Sequence, residues 1–186
     1  MSKTALLVVD MVYDFTNPKG LVFYPQNLEI IPKIAKVIDY CHQNDHLVIF
    51  MQHSYRANKP DKNLETMRKN CIAGSGGDQI DPALPVDPER DYIIKKRRYS
   101  AFFGTDLDLV LREHGITRVV VVGTKTNCCI RATVTDSYNL NYDTVVLSDC
   151  VATNDEVVNQ VHLTDIGKYL GTVISSSEFM AEGSEK

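Results

Sequence analysis

Three side chains suited to acyl transfer stand at the ends of apolar runs. Asp10 closes Leu6-Leu7-Val8-Val9. A carboxylate there is costly to bury, so it either caps the next turn or faces a crevice where it can take up a proton. Cys129 follows Val119-Val120-Val121-Val122, a turn containing Gly123, and Asn127, a residue type that caps helices. In the first turn of a helix, the macrodipole and free N–H groups favour a thiolate, and the same N–H groups can receive an oxyanion. An isolated free cysteine is nevertheless more often a small buried hydrophobe, and Cys128 stands beside this one. Lys96 ends Tyr92-Ile93-Ile94 and opens Lys96-Arg97-Arg98-Tyr99-Ser100-Ala101-Phe102. Its ammonium can steady a thiolate or orient a carboxylate, although a basic cluster such as Lys95 to Arg98 is by itself more often a solvated strand end. An aspartate, a lysine and a cysteine are thus the candidates for chemistry.

They act together only if the fold delivers them to one place. Residues 5–9, 47–51, 119–122, 144–147 and 172–175 are short apolar, β-branched runs that read as strands. Continuous rather than alternating runs imply strands covered on both faces, as in a parallel sheet. Residues 28–44, 106–114, 127–139 and 156–170 carry helical spacing, with Gly115 placed to stop the second helix. Strands alternating with helices predict βαβ units, hence an α/β three-layer α-β-α sandwich with a mostly parallel sheet, in one domain over residues 1–186. Sites in such sheets lie beyond the carboxyl ends of the strands, where all three candidates stand. Residues 54–91, rich in Pro, Gly, Asn and charge, exceed an ordinary connection and predict a functional loop or a short helix. Residues 178–186 read as a polar, fraying tail.

The composition of the 186-residue chain, 44% hydrophobic and 24% charged with net charge −4, predicts a soluble globular protein without a broad basic face. Nucleic acid and membrane are therefore not expected partners; a small-molecule substrate is. The N-terminus shows no signal peptide, and no apolar run of about 18 residues occurs, so the expected location is cytoplasmic. Cysteines 41, 71, 128, 129 and 150 are odd in number and form no C-x-x-C pair, so reduced thiols are expected.

Four motifs, in order along nearly the whole chain, carry a resemblance. Ala5-Leu6-Leu7-Val8-Val9-Asp10-Met11 with Asp14-Phe15, Lys96 to Phe102 with Gly104-Thr105-Asp106-Leu107, Gly123-Thr124-Lys125-Thr126-Asn127-Cys128-Cys129-Ile130 with Thr133, and Asp149-Cys150-Val151-Ala152 together resemble the isochorismatase-like cysteine hydrolases. That family includes nicotinamidases, N-carbamoylsarcosine amidase and ureidoacrylate hydrolase. The resemblance implies that Asp10 is the general base, Lys96 the charge-stabilising partner and Cys129 the nucleophile. The family's cysteine is the sixth residue after the glycine, which selects Cys129 over Cys128, and its lysine lies four residues before Ser-Ala-Phe, which selects Lys96 over Lys95. It further implies a cis peptide at Thr124-Lys125, with the backbone N–H groups of Lys125 and Cys129 facing the oxyanion. It implies cleavage of a carbon–nitrogen bond through a thioester without a cofactor, and a homo-oligomer, dimer or tetramer. Phe15, Tyr24, Arg98 and Tyr99 are candidates to line the substrate pocket, Arg98 being equally plausible as a structural ion-pair partner.

Nicotinamidases carry a metal site of the form Gln-Asp-x-His after the second strand, with a further His downstream. Here the segment reads Gln52-His53-Ser54-Tyr55, and no His occurs between His53 and His114, so no metal of that kind is expected. Lone His53 reads as a polar pocket or surface residue. Without that metal, nicotinamide is disfavoured as substrate, and the presence of Cys129 favours amide, ureide or carbamoyl cleavage. The alternatives are an isochorismatase-type vinyl-ether hydrolase and a non-enzymatic thiol redox sensor using Cys128 and Cys129.

Overall fold

The computed structural model describes residues 3–182. Six strands, β1 (Thr4–Val9), β2 (Leu47–His53), β3 (Tyr92–Lys96), β4 (Arg118–Thr124), β5 (Asp143–Ala152) and β6 (Thr172–Ile174), make one sheet in the order β3-β2-β1-β4-β5-β6. Every neighbouring pair is parallel. The helices are α1 (Tyr13–Thr16), α2 (Gln26–Gln43), α3 (Asn63–Thr66), α4 (Leu107–Glu113), α5 (Arg131–Asn139), α6 (Glu156–Tyr169) and α7 (Ser176–Ala181).

Successive side chains of a strand point to opposite faces. Ala5, Leu7 and Val9 pack with Leu107, Leu111, Val134 and Ile166 on the α4, α5 and α6 side. Leu6 and Val8 pack with Ile34, Ile38 and Phe179 on the α2 and α7 side. Both faces of β1 are dry, which accounts for its unbroken apolar run. Only β3, at the sheet edge, alternates: Ile94 and Lys96 are buried while Ile93 and Lys95 are exposed. The inward face of this edge strand is what takes Lys96 into the molecule.

The chain lays β2 and β3 on one side of β1, then crosses to β4 on the other side, so the carboxyl ends of β1 and β4 open onto a switch-point crevice. Their close approach depends on Gly123, whose φ is 114° and where a Cβ would overlap the Val9 carbonyl.

Residues 127–139 and 178–186 differ from the sequence expectation, while the 54–91 stretch holds the short helix that was one of the two readings given for it. Residues 127–139 form two pieces, a π-helical turn over Thr126–Ile130 and then α5. The 54–91 stretch contains the single-turn α3 and is tied back by isolated bridges between Tyr55 and Ile72 and between Val12 and Ile80. The supposed tail is helical as far as Ala181: Ser175 caps α7 in a reciprocal box with Glu178, and Phe179 is 2% exposed. Its apolar anchors, Phe179 and the partly buried Met180, stand among polar residues, which is why composition concealed it. Residues 183–186 lie outside the described residues. Among the described residues, no helix is long and apolar enough to cross a membrane.

Phe179→Ala should lower unfolding free energy by about 3–5 kcal/mol, the usual cost of emptying a buried aromatic site. Equilibrium denaturation measures it, and a loss below about 1 kcal/mol would mean that the terminal helix is not part of the core.

Candidate active site

The crevice gathers four side chains from four strand ends. Asp10 follows β1, His53 and Lys96 end β2 and β3 as register partners, and Cys129 lies in the π-helical turn after β4. Asp10 takes the left-handed backbone conformation, φ 56°, rare for a residue with a Cβ, and its N–H donates to the Met51 carbonyl at 2.9 Å. Lys96 Nζ stands 2.7 Å from Asp10 Oδ2 and 3.3 Å from His53 Nδ1, and donates to the Arg98 carbonyl at 2.9 Å. One ligating atom each from Asp10, His53 and Cys129 lie within 4.8 Å of one another. All four residues are buried, Asp10 and Lys96 almost completely at 0% and 1% exposure. The three residues singled out in the sequence are therefore adjacent. Lys95, the neighbour of Lys96, points outward.

Burial in so dry a place disfavours charge. For Lys96 that effect is outweighed by Asp10 and by the Cys129 sulfur, so its pKa moves up and it remains an ammonium. For His53 burial dominates over the pull of Asp10 and lowers its pKa to about 4, leaving a neutral imidazole. Cys129 is raised, first by burial and then by Asp10, with Lys96 pulling the other way. The direction is opposite to the thiolate expected of a helix start, and its causes are the loss of water and the adjacent carboxylate. Besides the Lys96 ion pair, the Asp10 carboxylate faces the Cys129 thiol and, at 3.8 Å from Oδ2, His53 Nδ1.

Above Cys129 lies a cavity of about 390 Å³. Phe15, Tyr24 and Tyr99 line it, as expected, together with Phe23, His53, Tyr55, Met67, Arg68, Asn70, Lys125, Cys128 and Asn154. Arg98 does not. Its guanidinium is taken by Asp61, 3.0 Å away, which also binds Arg97 at 3.0 Å, so Arg98 makes an ion pair and lies outside the cavity above Cys129. The Thr124-Lys125 peptide is cis. Lys125 Nζ donates to Asn154 Oδ1 at 2.7 Å and lies 5.2 Å from the centre of the Tyr24 ring.

Sequence reading missed Tyr55, Met67, Arg68 and Asn70 because the 54–91 loop has no periodicity to assign its residues to a face. His53 was read from the sequence as a polar pocket or surface residue, and it lines the cavity. The loop is held in place by a buried carboxylate, that of Asp14. Its Oδ1 accepts the Leu21 N–H at 3.2 Å and its Oδ2 the Cys71 N–H at 2.6 Å. Gly77 allows this approach, since a Cβ there would overlap the Asp14 carboxylate.

The residues do not fit the metal site of nicotinamidases. His53 takes the place of its aspartate and Tyr55 that of its histidine. The separate grouping of Asp10, His53 and Cys129 has a cation already among its ligating atoms, the Lys96 ammonium, which would repel a divalent ion.

The isochorismatase domain model matches residues 4–178. The chain belongs to the isochorismatase family. An isochorismatase-like hydrolase of Alkaliphilus metalliredigens has the same fold with a TM-score of 0.92, at 32% identity over 97% of this chain and 99% of that one. A probable inactive nicotinamidase of Arabidopsis thaliana is 31% identical, covering 88% of this chain and 87% of its own. The ureidoacrylate amidohydrolase of Stutzerimonas stutzeri is 30% identical over 96% of this chain and 82% of its own.

Neutral burial of His53 has a pH signature. Its pKa is about 4 folded against 6.5 unfolded, so between those values the unfolded chain binds more protons and stability falls as pH drops below 6.5. His53→Gln should remove roughly 2–3 kcal/mol of the decline in unfolding free energy between pH 7.5 and 4.5. Chemical denaturation at the two pH values measures this, and an unchanged pH dependence would mean that His53 is not held neutral.

Proposed function

We propose that this family member hydrolyses a carbon–nitrogen bond of a small carboxamide, ureide or carbamoyl compound, with Asp10, Lys96 and Cys129 as its catalytic residues. The observation that carries the reading is the buried Asp10–Lys96 ion pair beside the Cys129 thiol under an aromatic-walled cavity.

Asp10 takes the thiol proton as Cys129 Sγ attacks the carbonyl carbon. The S–C bond forms, and the carbonyl electron pair moves onto oxygen, which the N–H groups of Lys125 and Cys129 receive. Collapse of this intermediate breaks the C–N bond. Asp10 returns its proton to the departing nitrogen, leaving an acyl thioester and free ammonia or amine. Asp10 then deprotonates water, which attacks the thioester, and the thiol is restored. A resting thiol whose pKa is raised fits proton transfer during attack rather than a standing thiolate. The Lys96 ammonium compensates the negative charge as it passes between carboxylate and sulfur.

The aromatic rings of Phe15, Phe23, Tyr24 and Tyr99 suit a flat, conjugated acyl group. Arg68 and Lys125 are charged, and no Asp or Glu is among the described residues lining the cavity, which suits a substrate bearing negative charge. The ureidoacrylate amidohydrolase relative supports C–N cleavage as the reaction class. A thiol sensor needs an accessible, acidic thiol, whereas burial pushes both Cys128 and Cys129 up.

Turnover of a panel of carboxamides, ureides and carbamoyl compounds, scored by ammonia release, should identify substrates, and Cys129→Ala should reduce that release at least a thousandfold with its unfolding midpoint retained. Full activity in that variant would overturn the assignment. Release of pyruvate from isochorismate without ammonia from any amide would favour the vinyl-ether reaction instead.

A further inference from the structure

A second cavity, about 380 Å³, lies against the exposed edge of β3 and shares no lining residue with the cavity above Cys129. Arg56, Lys95, Arg97 and Arg98 line it, no Asp or Glu is among its described lining residues, and the Phe103 ring, 64% exposed, stands at its side. So dense a positive charge is unexpected in a chain of net charge −4. The strand period contributes to it: burying Lys96 turns Lys95 to the other face of the edge strand, and Arg97 follows directly after the strand.

Two features distinguish this cluster from scattered surface cations. Asp61, buried behind it, accepts Arg97 Nη1 and Arg98 Nη1, each at 3.0 Å, and Arg98 Nη1 also donates to the Arg97 carbonyl at 2.8 Å. Each guanidinium is thus anchored through one nitrogen, while its remaining donors have no hydrogen-bond partner among the described residues. Arg56 and Lys95 likewise form no ion pair among the described residues, so one carboxylate stands against four cations.

Pre-aimed guanidinium forks match the geometry of phosphate oxygens, and four cations exceed what one carboxylate would balance. An exposed ring at the side offers a stacking face for a planar group. We propose that this cavity binds a phosphate ester carrying a planar ring, such as a nucleoside phosphate, at a site separate from the proposed catalytic one. The two are joined through Arg98, whose carbonyl accepts from Lys96 Nζ at 2.9 Å while its side chain lines the basic cavity.

The test needs no substrate and is independent of the proposed hydrolysis. Full-length protein is titrated calorimetrically with inorganic phosphate, pyrophosphate and AMP at low salt. The expected result is saturable 1:1 binding of pyrophosphate and AMP, weakened at least about tenfold in the Lys95→Glu/Arg97→Glu double variant. Lys36→Glu, on the exposed side of α2, changes the net charge elsewhere and should leave binding within about twofold. AMP should bind more tightly than inorganic phosphate, and Phe103→Ala should abolish that difference. Absence of saturable binding at 10 mM ligand (~10 mM being far weaker than any specific site), or equal weakening by Lys36→Glu, would overturn the site. AMP no tighter than phosphate would overturn the ring-bearing ligand.

Discussion

The buried ion pair between Asp10 and Lys96 is the constraint on which the site depends. Neither charge is tolerable alone at that depth, since an unpaired buried ion costs several kcal/mol. The two come from strands separated by β2, so the ends of β1, β2 and β3 must stay aligned for either to be buried. His53 lies between them and must be neutral, because a protonated imidazole would set two cations against one carboxylate. Its pKa of about 4 follows from burial, which prevails over the pull of Asp10. Cys129 completes a balanced group: one cation, one anion, a neutral imidazole and a thiol whose proton is kept by burial and by Asp10.

Carboxylates also organise the surroundings. Asp14 gathers backbone N–H groups from residues 21 and 71, fixing two walls of the cavity relative to α1. Asp61 anchors the side chains of Arg97 and Arg98, while the Arg98 carbonyl accepts from the Lys96 ammonium. The four-residue basic run therefore has three fates: one side chain enters the core, two are tied to Asp61, and one faces solvent. The alternation of an edge strand, followed by a turn, divides them.

Family membership leaves considerable freedom in the site. Where nicotinamidases have metal-ligating aspartate and histidine, this chain has His53 and Tyr55, whose rings lie 4.7 Å apart and nearly perpendicular. Both rings line the cavity above Cys129.

The parallel sandwich was legible in residues 5–9, 47–51 and 119–122 because strands buried on both faces leave unbroken apolar runs. Asp10 was singled out as a charged residue ending such a run and Cys129 as a thiol in the turn after another, whereas the choice of Lys96 over Lys95 and of Cys129 over Cys128 came from the motif resemblance. Arg98 was not resolved between pocket and ion pair, since its partner Asp61 lies 37 positions away in a loop without periodicity. Phe179 was read as tail because a single buried ring makes no pattern. The protonation of Cys129 and His53 also required the tertiary structure: a pKa depends on the water excluded and the charges brought near. Local sequence determined which side chains stood at the strand ends; long-range packing decided which of them faced one another, and in which charge state.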